Sequence, residues 1–144
     1  MKLLKNISRA STTAVLLFAF STCQTLPPPS PIPYRVVNLV LDLNDFRLRN
    51  LRVDRGFAYI EGGVRGIILY RRSANSYLAF ERNCPFEPAN SCATVSVDGS
   101  LLFMKDSCCN SLFDFEGRPF GGPAFNNMLR YNTNLSGNIL YISN

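Results

Sequence analysis

The stretch GIILYRRSANSYLAFE, residues 66–81, decides the fold class. Two runs of β-branched, aliphatic and aromatic residues, at 66–71 and 77–81, flank the short segment Ser73-Ala74-Asn75-Ser76. Small polar residues at this spacing are typical of a turn between two antiparallel strands. The sequence therefore predicts a β-hairpin here.

Similar short runs continue on both sides of the hairpin. The pattern predicts further strands at residues 35–41, 57–61, 93–97, 101–105 and 139–143. Asp98-Gly99 and Ser136-Gly137-Asn138 are predicted hairpin turns, whereas residues 43–53 allow one turn of helix. Since no window of a dozen residues keeps a helical period, the chain is predicted to be all-β, a stack of small antiparallel sheets.

Composition and charge narrow the class of protein. The chain has 144 residues, 47% of them hydrophobic and 17% charged, as in an ordinary single globular domain. Three of its 15 basic residues lie in the first 22, which hold none of the 10 acids, so the remainder has 12 basic residues and a net charge of +2. This small excess does not favour nucleic-acid binding.

The N-terminal residues predict export. A cationic start and an apolar run at 14–20 precede Cys23, as in the signal of a bacterial lipoprotein, whose cysteine is acylated. We expect a signal peptide at residues 1–22 and a lipid anchor on Cys23, which would place the protein in the bacterial envelope, facing the periplasm or the exterior. Plain secretion, with Cys23 as a stray thiol, is the alternative.

A proline-rich segment, residues 23–34, follows the predicted leader. Five prolines between Pro27 and Pro33 remove backbone donors and favour an extended polyproline conformation. This composition indicates a stiff tether between the membrane and a folded domain at residues 35–144. A terminus without special purpose would have the same composition.

Four cysteines in two clusters, within residues 83–124, are the candidate functional residues. They are Cys84, Cys92, Cys108 and Cys109, an even number that suits disulfides in an oxidising compartment. The chain has no histidine, which excludes Ser/His/Asp and Cys/His catalysis and imidazole acid–base chemistry. No other catalytic constellation is recognisable, so an enzyme is not expected.

The loops around these cysteines resemble those of a Rieske-type iron–sulfur domain, in particular the Rieske-like lipoproteins of Bacteroidetes-type bacteria. The matching segments occur in the family's order: GGVRGIILYR (62–71), AFERNCP (79–85), CCNSLFD (108–114), Gly117, GPA (122–124), Leu129 and Tyr131. The resemblance implies a Rieske-like β domain with an inserted, loop-rich cluster subdomain.

The resemblance also implies that the cluster has been lost. A Rieske cluster is held by two cysteines on one iron and two histidines on the other. Cys84 takes the first cysteine position and Phe86 the first histidine position, while Asp106 and Cys109 take the second cysteine and histidine positions. Three of the four ligands are thus changed, and a phenyl ring cannot bind iron.

Four cysteines allow three pairings. A bond between the adjacent Cys108 and Cys109 would be strained, and the other two pairings stay open on the sequence alone. The Rieske overlay favours Cys84 with Cys109 and Cys92 with Cys108. It implies a non-catalytic domain held by two disulfides, with a binding or structural role in the envelope.

The alternative is an electron-transfer or metal-binding protein. All four cysteines, Cys84, Cys92, Cys108 and Cys109, would then be thiolate ligands of zinc or of a two-iron two-sulfur cluster. The absence of a C-x-x-C spacing and the predicted export both disfavour this site. A redox-active disulfide is a third reading, but no neighbouring histidine is present to lower a thiol pKa.

Overall fold

The computed structural model describes residues 32–144. The predicted signal peptide, Cys23 and most of the predicted tether lie outside these residues. The described part contains a 3₁₀ helix, Phe46–Arg52, and ten strands: β1 (Asn38–Asp42), β2 (Phe57–Ile60), β3 (Ile67–Ser73), β4 (Ser76–Glu81), β5 (Val95–Val97), β6 (Met104–Asp106), β7 (Leu112–Phe113), β8 (Pro119–Gly121), β9 (Arg130–Ser136) and β10 (Ile139–Ser143). Within this range no helix is both long and apolar enough to traverse a bilayer.

The strands form two antiparallel sheets. The larger sheet has six strands in the order β1-β10-β9-β4-β3-β2, and it curls into a half-barrel. The smaller sheet has four strands in the order β5-β6-β7-β8. The predicted all-β class is therefore confirmed.

Residues 67–70 of β3 and 77–80 of β4 are buried on both faces, which explains why these two runs are continuously apolar. Side chains of successive residues in a strand point to opposite faces. Ile68 and Tyr70 accordingly join one core cluster with residues of the small sheet, whereas Ile67 and Leu69 join a second cluster. The β3–β4 hairpin is thus the wall between two cores.

The second core lies inside the curl of the large sheet. Leu48 and Leu51 of the 3₁₀ helix are buried there, three residues apart, as the three-residue turn of such a helix requires. They pack in the same cluster as Leu140 and Ile142 of β10. The predicted turn of helix within residues 43–53 is the 3₁₀ helix.

Two of the three predicted turns have the expected form. β3 and β4 are joined through Ala74 and Asn75, and β9 and β10 through residues 137–138. The turn predicted at Asp98-Gly99 is longer, because β6 begins only at Met104. Asp98 instead closes the loop by donating its backbone N–H to the carbonyl of Phe103, at 3.0 Å.

Candidate functional site

The two cysteine loops begin where β4 and β6 end. The first loop leaves β4 after Glu81 and is held back on itself by the hydrogen bond from the Cys84 N–H to the Ala93 carbonyl, at 3.2 Å. The second loop connects β6 to β7 and includes Cys108 and Cys109. Both loops pack on the core cluster between the two sheets, since Cys84 and Cys109 belong to it or contact it.

The second loop is a tight turn whose backbone is closed at both ends. Asp106 donates its N–H to the carbonyl of Ser111 at 3.0 Å and accepts the N–H of Asn110 at 2.8 Å. Asn110 has a φ of 61°, a left-handed conformation that asparagine tolerates better than most residues. This turn brings the side chains of Cys109 and Asp106 to the same side of the second loop.

Cys92 and Cys108 form a disulfide that joins the two loops, with their Cα atoms 5.5 Å apart. Cys92 is exposed and Cys108 is half-buried, so the bond lies at the rim. The pairing of Cys92 with Cys108 predicted from the Rieske overlay is confirmed.

Cys84 and Cys109 form an inner pair that is not bonded in this structure. Their sulfur atoms lie 3.9 Å apart, Cys84 is fully buried and Cys109 is half-buried. The predicted disulfide between them stays a prediction. The structure does show that the two side chains face each other.

Asp106 adds a carboxylate to the inner pair. It is fully buried, and its Oδ1 accepts the N–H of Cys108 at 2.7 Å. Its Oδ2 is buried and has no hydrogen-bond partner among residues 32–144. Ligand atoms of Cys84, Asp106 and Cys109 all lie within 4.8 Å of one another, which is the spacing of a metal-ligand set.

Burial raises the pKa of the Cys84 thiol well above its ordinary value, and the neighbouring Asp106 carboxylate raises it further. The backbone N–H of Phe86, which donates to the sulfur, has the opposite and smaller effect. Cys84 is therefore a neutral thiol at neutral pH unless a cation binds beside it.

Two charged side chains hold the first loop in place. The buried Glu81 accepts the N–H groups of Val64, Arg65 and Asn83, at 2.7, 2.9 and 2.8 Å, and the hydroxyl of Tyr131, at 2.8 Å. The Arg65 guanidinium donates to the Asn83 side chain and to two carbonyls of the loop, those of Asn90 and Ser91. These bonds fasten the loop to the segment between β2 and β3.

The structure gathers three of the four former ligand positions suggested by the Rieske overlay. Cys84, Asp106 and Cys109 converge, whereas Phe86 packs against the core. A two-iron cluster needs four ligands, so the three donors do not fit it. With Cys92 and Cys108 bonded to each other, the predicted site of four thiolates is not formed among residues 32–144.

Sequence reasoning missed the role of Glu81. Residues 77, 79 and 81 share one face of β4, and Tyr77 and Ala79 belong to the core on that face. Because the neighbouring residues of β4 are apolar on both faces, the sequence held a usable signal that Glu81 points inward. Its partners, however, come from distant segments and were not predictable.

Comparison with known proteins gives no family assignment. No protein-family model matches the chain, and no curated protein matches it significantly.

Proposed function

We propose that the protein is an exported, membrane-anchored, Rieske-like domain that has lost its two-iron two-sulfur cluster and serves a non-catalytic binding or structural role in the cell envelope. The loop residues named above support the resemblance. The Cys92–Cys108 disulfide carries the proposal, because it ties together the two loops that a cluster would bridge in a Rieske protein.

The arrangement of the inner pair supports a second disulfide. Cys84 and Cys109 already face each other at 3.9 Å, so a small shift of the half-buried Cys109 brings the sulfurs to bonding distance. Phe86 fills space beside them with an apolar ring. Sulfur–sulfur bonds and apolar packing would then replace metal ligation in joining the loops.

Mass spectrometry of the protein taken from the envelope under non-reducing conditions tests the disulfides. We expect peptides linked through Cys92–Cys108 and through Cys84–Cys109, with no alkylatable thiol among these four. Four alkylatable thiols would overturn the proposal.

Fractionation tests the anchor separately. In a bacterial host, the wild-type protein should appear in the membrane fraction with a mass that includes acyl chains on Cys23. A Cys23→Ala variant should lack the acyl chains and the mass that they add. An unprocessed or cytosolic wild-type protein would contradict export.

A further inference from the structure

We propose that the thiol form of the inner pair binds one thiophilic divalent cation, of the zinc class, through Cys84, Asp106 and Cys109. The proposal concerns this form only, because a Cys84–Cys109 disulfide leaves no thiolate to bind. It depends on neither the Rieske-like assignment nor export.

The separation of the two sulfurs suits a single ion. On a tetrahedral zinc with bonds of about 2.3 Å, two thiolates stand about 3.8 Å apart. The sulfurs of Cys84 and Cys109 are 3.9 Å apart. The pair can therefore bind zinc with little rearrangement.

The third ligand is the buried oxygen of Asp106 that lacks a partner. A carboxylate oxygen without a hydrogen bond is costly in the protein interior. Within the described part of the chain Oδ2 has none, although Oδ1 of the same side chain accepts the Cys108 N–H. A cation bound between the sulfurs and this oxygen removes that cost.

The Cys109 sulfur has a hydrogen-bond donor beside it. Ser111 Oγ lies 3.0 Å from the Cys109 sulfur and accepts the Ala124 N–H, so its own hydrogen is available for Cys109. Such a donor orients the ligand and offsets its negative charge.

The ligand set favours zinc over harder ions. Thiolates select soft and borderline cations, whereas calcium and magnesium take oxygen ligands. Three protein ligands leave one position of a tetrahedron free. Because Cys109 is half-buried, the ion has a path from solvent beside this ligand.

Cobalt and zinc binding to the full chain, reduced and kept anaerobic, tests the proposal. All samples carry Cys23→Ser, which leaves four cysteines. We expect one cobalt per chain, with the visible bands of tetrahedral coordination and sulfur-to-metal charge transfer, displaced by one equivalent of zinc. If the reduced chain is unfolded, zinc should refold it, as circular dichroism would show.

Matched variants identify the ligands. Cys109→Ser should abolish cobalt binding, and Asp106→Asn should weaken zinc binding about tenfold or more. Asp98→Asn is the control, because Asp98 also accepts the N–H two residues ahead, that of Ser100, but lies in the exposed turn after β5 and is not among the three converging residues. This variant should bind zinc like the parent.

The remaining outcomes are equally decisive. Cys92→Ala/Cys108→Ala should retain the cobalt spectrum, since its only thiols are the inner pair. Absence of binding by the reduced parent, or binding that survives both Cys109→Ser and Asp106→Asn, overturns the proposal. The oxidised chain should bind no cobalt. Failure to obtain a Cys84–Cys109 bond would count against the second disulfide without affecting the metal result.

Discussion

Glu81 is the residue on which the base of the first cysteine loop depends. A buried carboxylate is tolerated only when hydrogen bonds compensate for its lost hydration. Glu81 accepts three backbone N–H groups and the Tyr131 hydroxyl. These donors come from β4's own end, from the segment before β3 and from β9, so one side chain ties three parts of the chain together.

Glu81→Gln should lower the free energy of unfolding by about 1–3 kcal/mol, because the amide nitrogen cannot accept the N–H groups that face it. Glu61→Gln is the control, since Glu61 is exposed in the neighbouring segment and should change stability little. Urea unfolding at neutral pH measures both. Equal stability of the two variants would show that the Glu81 bonds contribute nothing.

Because of Tyr131, the free energy of unfolding should depend on pH in the alkaline range. Burial, and then the hydrogen bond to Glu81 and its charge, raise the pKa of Tyr131 above its ordinary value of 10.0. Because its pKa is raised in the folded state, Tyr131 contributes its full stabilisation below about pH 10. Above that, the unfolded tyrosine ionises while the folded one does not, so wild-type stability falls by up to about 1.4 kcal/mol per pH unit.

Tyr131→Phe removes this dependence. The variant should be less stable than the wild type at neutral pH by about 1–3 kcal/mol, because Glu81 loses a donor. The difference should shrink as pH rises above about 10. Tyr70, whose pKa burial also raises, is present in both proteins and cancels. Urea unfolding from pH 8 to 11 checks this, and parallel curves would contradict it.

At the scale of residues, the cysteines of the site could be identified from the sequence, whereas the contacts around them could not. The clustering of Cys84, Cys92, Cys108 and Cys109 is visible in the chain. The Glu81–Tyr131 bond spans 50 residues, and no local pattern reports such a contact. Likewise, only the fold shows that one Asp106 oxygen lacks a partner.

Among the connecting elements, the segment between β2 and β3 has a steric requirement that involves the Glu81 side chain directly. Gly63 has a φ of 61°, and an added methyl group would overlap the Glu81 carboxylate and the Tyr131 hydroxyl. Gly137, between β9 and β10, has a nearly equal φ of 59°, but no atom of the described residues lies within 4 Å of the added atom. The two glycines therefore separate backbone strain from steric overlap.

Gly137→Ala should cost about 1 kcal/mol, the strain of a left-handed alanine. Gly63→Ala should cost this amount plus the displacement of Glu81, and so clearly more. Thermal unfolding of the two variants beside the wild type measures the difference. Similar losses at both sites would show that the buried carboxylate moves aside freely.

The strands were predictable because their burial follows a period of two or, in β3 and β4, is continuous. The loop after β5 was predicted less well. Asp98-Gly99 is a frequent two-residue turn, yet the chain leaves Leu101 and Leu102 exposed and resumes pairing at Met104, which is buried. Core packing of Met104 thus sets the strand register, rather than the local turn preference.

For the molecule as a whole, the Cys92–Cys108 disulfide is the covalent link between the two cysteine loops. It closes a loop with a sequence separation of 16. The double variant Cys92→Ala/Cys108→Ala should lose about 3 kcal/mol of unfolding free energy in the chain-entropy account. Both cysteines lie toward the surface, so little of the loss comes from packing.

Urea unfolding under non-reducing conditions measures this loss. Ser91→Ala, at an exposed position on the same loop, serves as control and should be as stable as the wild type. A double variant as stable as the wild type would mean that the loops are held by their other contacts alone.

The wall formed by β3 and β4 lets the two sides of the domain diverge independently. The Ile68 side chain packs in the core cluster beneath the cysteine loops, whereas the side chain of the adjacent Leu69 packs in the cluster inside the half-barrel. Natural variation or engineering can therefore change the packing beneath the cysteine loops while the packing inside the half-barrel stays the same. Adjacent residues whose side chains pack in different core clusters should show little energetic coupling.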